Sequence, residues 1–134
     1  MLDVFKIPII KLYDTLIVSI QMALTDQLVR QLKQDITMEI DRTDATGLII
    51  DLSGMDVMDS YITKAIRDIG LVSRLMGVET VLCSLDPMIA ITLVEMDLSP
   101  EGITTALNLE AALDYLRSKH VPGPEGTSQN KANV

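Results

Sequence analysis

The sequence predicts an α/β domain with a mixed β-sheet: an N-terminal hairpin, parallel central strands and about four helices. Short apolar runs rich in β-branched residues, at 47–52 and 79–84, alternate with longer segments in which apolar residues recur every third or fourth position. Such alternation indicates parallel strands joined by crossover helices. Apolar residues make up 48% of the 134 residues, which allows a chain of this length to bury a core.

The N-terminal hairpin is predicted from two short apolar runs. The first strand covers 7–12, where Pro8 lacks a backbone donor and therefore suits a strand start or a sheet edge. Asp14 and Thr15 are predicted to form the turn, and 16–20 the returning strand. Because a tight turn joins them, the two strands are expected to be antiparallel.

Two amphipathic helices and a buried strand follow the hairpin. Thr25 is the predicted N-cap of a helix that continues to about residue 43. Ser60 begins a second helix, which Gly77 is placed to end. The run 47–52 between these helices is apolar almost throughout, as strands buried on both faces are.

The remaining elements are shorter. After the strand at 79–84, Asp86 and Pro87 are predicted to open a helix to about Met96, as an N-cap and a first-turn proline. An edge strand is predicted at 103–105. A final helix is predicted after its cap, Asn108.

The predicted domain covers residues 1–120. From Val121 onward the composition changes to glycine, proline and polar residues. Such a segment has too few apolar groups to offset the entropy of ordering the chain. We therefore predict a flexible C-terminal tail over residues 121–134.

Charge and composition narrow the classes of function. The formal net charge is −8, so partners among nucleic acids or anionic membranes are not expected. The chain has one cysteine and therefore no intramolecular disulfide. No run reaches the roughly 18 uncharged apolar residues of a membrane helix, and no secretory signal opens the chain. A cytoplasmic protein is expected.

Catalytic chemistry finds little support in the sequence. A serine or cysteine nucleophile needs a base, and the only histidine, His120, follows the last predicted helix, where histidine commonly interacts with the helix dipole. Cys83 lies in an apolar strand and is expected to be a buried hydrophobic residue. No phosphate-binding glycine motif is present. We predict a protein without catalytic residues, cofactors or metal ions.

Three carboxylates surround one loop: Asp51, Asp56 and Asp59. Carboxylate oxygens suit a hard cation. The spacing is not that of an EF-hand, and solvated acids in loops are far commoner than metal ligands. A cation at this loop therefore remains the less favoured interpretation.

Ser60 stands where this acidic loop meets a helix. As an N-cap, its hydroxyl would accept a backbone N–H and need no further function. A phosphate there would face helix N–H groups and the positive end of the dipole, while Asp56 and Asp59 would repel its added charge of about −2. A partner docked on this corner would respond to the change, so both interpretations stay open.

A family resemblance bears on that choice. Residues 51–60 read Asp-Leu-Ser-x-x-Asp-x-x-Asp-Ser before an amphipathic helix, which resembles the signature of STAS domains, the modules of sulfate transporters and anti-sigma-factor antagonists. Residues 6–13 (KIPIIKLY), 16–21 (LIVSIQ) and 75–77 (LMG) further resemble the RsbS-type scaffold of the bacterial stressosome. The resemblance covers roughly residues 5–118.

The resemblance implies a regulatory scaffold. Ser60 falls on the serine that an RsbT-type kinase phosphorylates and an RsbX-type phosphatase restores, with Thr63 as a secondary site. The unphosphorylated scaffold would hold the kinase, and phosphorylation would release it into bacterial stress signalling. Self-association and assembly with RsbR-type sensor paralogues in a large particle are also implied. Contacts with partners are expected at Asp56, Met58, Asp59 and Tyr61.

Two alternatives remain. The first is a stand-alone anti-sigma-factor antagonist that binds its anti-sigma kinase one-to-one. The second, of another class, is a small enzyme or ligand-binding domain, against which the missing histidine base and phosphate loop argue.

Overall fold

The computed structural model describes residues 7–21, 23–55, 58–95 and 103–119. Within these ranges the chain forms β1 (Ile9–Leu12), β2 (Thr15–Ser19), α1 (Asp26–Arg42), β3 (Gly47–Asp51), α2 (Ser60–Leu75), β4 (Glu79–Cys83), α3 (Pro87–Glu95), β5 (Thr104–Ala106) and α4 (Leu109–Lys119). The order of strands and helices is the predicted one.

The strands form one mixed sheet in the order β1-β2-β3-β4-β5. β1 is antiparallel to β2, and the other neighbouring pairs are parallel. Each parallel connection therefore runs through one helix to the adjacent strand. This arrangement confirms the predicted α/β fold with an N-terminal hairpin and parallel central strands.

Helices cover both faces of the sheet. Leu48 and Ile50 of β3 belong to the larger core, which α1, α2 and α3 complete, whereas Ile49 points to a smaller core that it shares with Ala112 and Leu116 of α4. Alternate residues of a strand face opposite sides. β3 is therefore buried on both faces, as its continuous apolar run predicts.

The hairpin turn lies one residue earlier than predicted. Leu12 pairs with Thr15, so Tyr13 and Asp14 form the turn. Tyr13 has a φ of 55°, in the left-handed region that few non-glycine residues adopt. Thr15 belongs to β2 because it pairs with Gly47 at the start of β3. This long-range pairing, which local sequence does not encode, fixes the position of the turn.

Capping residues set most helix ends as predicted. The Oγ1 of Thr25 accepts a hydrogen bond from the Leu28 N–H (3.1 Å), and the Oδ1 of Asn108 accepts one from the Ala111 N–H (2.8 Å). The Oδ1 of Asp86 accepts one from the N–H of residue 88 in the same way (2.8 Å). Side-chain acceptors of this kind satisfy the unpaired N–H groups of a first turn.

The α2 helix ends at a glycine, as predicted. Gly77 has a φ of 87°, a conformation that glycine adopts without steric cost. The predicted edge strand at 103–105 is shifted by one residue to Thr104–Ala106. Met96, His120 and the predicted tail at 121–134 lie outside the described residues. None of the helices in the described ranges is both long and apolar enough to cross a membrane.

Candidate functional site

The loop that leads to Ser60 begins on a fixed strand end. The N–H of Ile20 donates to the Asp51 carbonyl oxygen (3.0 Å), and the N–H of Leu52 donates to the Cys83 carbonyl oxygen (3.0 Å). These bonds extend the sheet ladder just beyond β2 and β3. The Oδ1 of Asp51 then accepts from the Ser53 N–H (2.9 Å) and turns the chain out of the sheet.

Gly54 allows the loop to lie directly against the end of β2. A Cβ atom added to Gly54 would lie 2.5 Å from the Cα of Gln21 and 2.6 Å from the carbonyl oxygen of Ile20. Both atoms belong to the backbone and cannot rotate away. The close approach therefore requires glycine and anchors the loop that presents the second helix.

Asp59, and not Ser60, is the N-cap of α2. Its Oδ1 accepts from the Ile62 N–H at 2.8 Å, and its backbone is extended (φ −94°, ψ −179°). The Thr63 N–H already donates to the Asp59 carbonyl oxygen (3.0 Å), as in a regular helical turn. The predicted N-cap at Ser60 is therefore wrong by one residue, because aspartate and serine cap equally well.

Ser60 is the first helical residue, and its side chain is exposed. The cap already uses the N–H of Ile62, while the first N–H groups of a helix have no partner within the helix. Since Asp59 does the capping, the hydroxyl of Ser60 is not required for that bond. Ser60 thus combines access from solvent with a position at the positive end of the helix dipole.

Two of the predicted site residues lie beneath the surface of this corner. Met58 is only 7% exposed and packs in the larger core. Thr63 is 3% exposed, and its Oγ1 donates to the Asp59 carbonyl oxygen (2.8 Å). Modification of Thr63 therefore requires the first turn of α2 to open.

The exposed corner consists of Asp59, Ser60 and Tyr61. Tyr61 is 46% exposed and Asp59 is also exposed. Asp56, the remaining predicted contact, lies outside the described residues. Of the predicted partner contacts, Asp59 and Tyr61 adjoin Ser60 at the surface, whereas the buried side chain of Met58 supports the corner from inside the core.

Of the three carboxylates at the acidic loop, the structure describes Asp51 and Asp59. Among the described residues, no three carboxylate, thiol or imidazole groups converge. The Oδ1 atoms of Asp51 and Asp59 are each engaged by a backbone N–H. These two carboxylates shape the backbone of the corner.

Cys83 is a buried residue of the smaller core, as predicted. It is fully buried, has a free thiol and packs in the same cluster as Ala112 and Leu116. Burial raises the pKa of the Cys83 thiol, a hydrogen bond with Ser84 lowers this pKa, and the negative charge of Asp51 raises it. A thiol with a raised pKa is a poor nucleophile at neutral pH.

The mixed sheet, the two helix layers and the serine corner together define the class of protein. Residues 6–112 match the family model of the STAS domain, and the chain belongs to the STAS domain family.

Its relatives include proteins of the stressosome. A serine-to-glutamate variant of RsbS from Moorella thermoacetica is 37% identical, with 86% of this chain and 97% of that chain covered and a TM-score of 0.75. A structure described as the molecular architecture of the stressosome, a signal integration and transduction hub, is 39% identical, with 84% and 97% covered and a TM-score of 0.73. These two similarities confirm the predicted RsbS-like character.

A curated relative matches over a shorter region. The RsbT co-antagonist protein RsbRC of Bacillus subtilis is 38% identical over 68 residues, which are 51% of this chain and 24% of that protein. The matched region thus spans about a quarter of RsbRC.

Proposed function

We propose that this STAS protein is a non-catalytic, cytoplasmic scaffold that holds an RsbT-type serine kinase and releases it when Ser60 is phosphorylated. The observation that carries the proposal is the exposed position of Ser60 at the first residue of α2, directly after the cap. The similarity to RsbS over 97% of that chain supports it.

The proposed switch acts through local charge. A phosphate on Ser60 adds a charge of about −2 beside the exposed carboxylate of Asp59. The helix dipole partly compensates this charge, but a partner that docks on Asp59 and Tyr61 meets a bulkier and more negative surface. Because like charges brought together across an interface cost several kcal/mol of binding free energy, we expect one phosphate to weaken the docking of the kinase enough for its release.

The residues beneath the corner are packed against the fold, so we expect phosphorylation to change only the exposed surface. Gly54 packs on the end of β2, and Met58 lies in the core. Phosphorylation therefore alters the exposed surface without unfolding the helix that presents it. In this scheme Asp56 is a further contact for the kinase, and Thr63 is a secondary site that becomes accessible only on local opening.

The proposed partners follow from the relatives. Similarity to a stressosome structure and to an RsbT co-antagonist supports self-association and assembly with an RsbR-type sensor paralogue. An RsbX-type phosphatase would remove the phosphate and reset the scaffold. The output would be bacterial stress signalling.

The site assignment is tested by phosphorylation in vitro. Incubation of the purified protein with its cognate kinase and ATP should introduce one main phosphate, which Ser60→Ala abolishes. Ser53→Ala is the matched control, since Ser53 is an exposed serine of the loop that leads to this corner and its loss should leave phosphorylation unchanged. Equal phosphorylation of the Ser60→Ala variant would remove Ser60 as the site.

A further inference from the structure

A groove of about 630 Å³ lies at the end of the sheet opposite to Ser60. Its lining includes Thr15, Gly47 and Glu79, which are the first residues of β2, β3 and β4. These strands are parallel, so their amino ends share one edge of the sheet, whereas the Ser60 corner follows the carboxyl end of β3. The groove is therefore separate from the proposed phosphorylation site.

Apolar side chains from two elements form walls of the groove. Leu12 and Tyr13 of the hairpin contribute one, and Leu113 and Leu116 of α4 contribute the other. A Cβ atom added to Gly47 would lie 2.9 Å from the Cδ1 of Leu116, so α4 packs directly on β3. These walls suit a flat apolar body.

Cationic side chains from two helices line the same groove. Arg74 belongs to the last turn of α2, and Arg117 and Lys119 belong to the last turn of α4. Basic residues are common at helix C-termini because they interact favourably with the dipole. Here the topology brings two such helix ends to one cavity in a chain of net charge −8.

The acidic residues of the groove are engaged by hydroxyl groups. The Oδ2 of Asp14 accepts a hydrogen bond from the Thr46 hydroxyl (3.2 Å). The Oε2 of Glu79 accepts from the hydroxyls of Tyr115 (3.3 Å) and Thr104 (3.4 Å). Both carboxylates therefore accept hydrogen bonds within the protein, and Arg117 and Lys119 at the end of α4 add exposed cationic side chains to the groove.

The ion pair between Arg117 and Asp114 does not fix the Arg117 side chain firmly in place. Arg117 contacts Asp114 at 3.1 Å, and both side chains are largely exposed. Exposed pairs of this kind contribute little free energy. A ligand that offers an anionic group can therefore compete with Asp114 for the guanidinium.

A smaller cavity of about 290 Å³ adjoins the groove and shares Arg74, Glu79 and Lys119 with it. Thr80 lines this cavity, is 5% exposed, and has an Oγ1 atom without a hydrogen-bond partner among the described residues. This Oγ1 atom is itself buried, so Thr80 shapes the cavity wall and is not a hydrogen-bond contact for a ligand.

We propose that the groove binds a small organic anion: one phosphate or carboxylate group carried on a flat apolar body. Arg117 and Lys119 hold the anionic group, and the body lies between Tyr13 and Leu113. The volume lies within the range of small-molecule sites. A phosphate and a carboxylate offer the same charged oxygens to these side chains, and experiment distinguishes them.

The proposal is tested by NMR titration of the isotope-labelled full chain. Naphthyl phosphate and naphthoate are the probes, and inorganic phosphate and naphthol each lack one half of the proposed ligand. The site is supported if at least one probe causes saturable shifts of the Gly47, Gly77 and Val78 amides. Inorganic phosphate and naphthol should each bind more weakly than that probe. Absence of saturable shifts with both probes, equal binding of either half, or shifts centred on Ser60 would overturn it.

Matched charge variants supply the second measurement. The double variant Arg117→Gln with Lys119→Gln should weaken probe binding at least about tenfold, because it removes charged hydrogen-bond donors. The control Lys33→Gln with Lys64→Gln removes two exposed cations that do not line the groove and should leave binding unchanged. Equal affinities of the two variants would contradict the assignment.

Discussion

At the residue scale, Asp59 caps α2 and Ser60 follows it as the first helical residue. Asp59 accepts the N–H of Ile62 and fixes the start of α2, while Ser60 is exposed and is not needed for that bond. The sequence indicates the corner but not this division, since both residue types are good N-caps. The buried positions of Met58 and Thr63 were also not predictable, because they depend on how the loop packs on the core.

The capping role of Asp59 makes a residue-scale prediction. Asp59→Ala should lower the free energy of unfolding by about 1 kcal/mol, whereas Asp59→Asn keeps a side-chain acceptor and should stay within a few tenths of the wild-type value. Urea denaturation measures both. If both variants lost the same free energy of unfolding, the effect would come from the charge of Asp59, and the capping role would be contradicted.

At the scale of elements, the order of the nine strands and helices in the described ranges, and most of their ends, could be predicted. Caps such as Thr25 and Asn108 are local signals, so they are visible in the sequence. The predicted hairpin turn is one residue too late, because the pairing of Thr15 with Gly47 sets the position of the turn. The groove between the hairpin and α4 was not predicted, since it arises only when distant elements meet.

The smaller core between α4 and the sheet makes a prediction at this scale. Cys83, the only cysteine, is fully buried there, so a thiol reagent should modify it only after unfolding. Labelling with and without denaturant, followed by mass spectrometry, measures this. Rapid stoichiometric labelling of the native protein would contradict the packing of α4.

The same thiol gives a pH dependence. Its pKa is raised in the folded state, with burial as the largest cause. The unfolded chain therefore loses this proton first as the pH rises, and the contribution of Cys83 to stability should decline above the ordinary thiol pKa of about 8.5. The free energy of unfolding, measured by urea denaturation, should therefore fall less between neutral and alkaline pH in the Cys83→Ala variant than in the wild type.

At the scale of the whole molecule, the two ends of the sheet are proposed to have different roles. The carboxyl end of β3 leads to the Ser60 corner, and the amino ends of three parallel strands border the groove. Binding at the groove therefore need not compete with docking at the corner. The STAS fold is compatible with either a scaffold or a stand-alone antagonist, and assembly separates the two.

Assembly is measured by size-exclusion chromatography with light scattering. Mixed with an RsbR-type paralogue, the protein should elute in a particle much larger than a one-to-one complex. A small complex with a kinase alone, and no large particle, would favour the anti-sigma-factor antagonist.

The most direct test of the account is the affinity of an RsbT-type kinase for the chain with and without phosphate on Ser60. Calorimetric titration of the two forms should show tight binding to the unphosphorylated chain and at least about tenfold weaker binding to the phosphorylated one. The Ser60→Ala variant should keep its affinity after incubation with kinase and ATP. Equal affinity of the two forms, or tighter binding to the phosphorylated chain, would contradict the claim that Ser60 controls the release of the kinase.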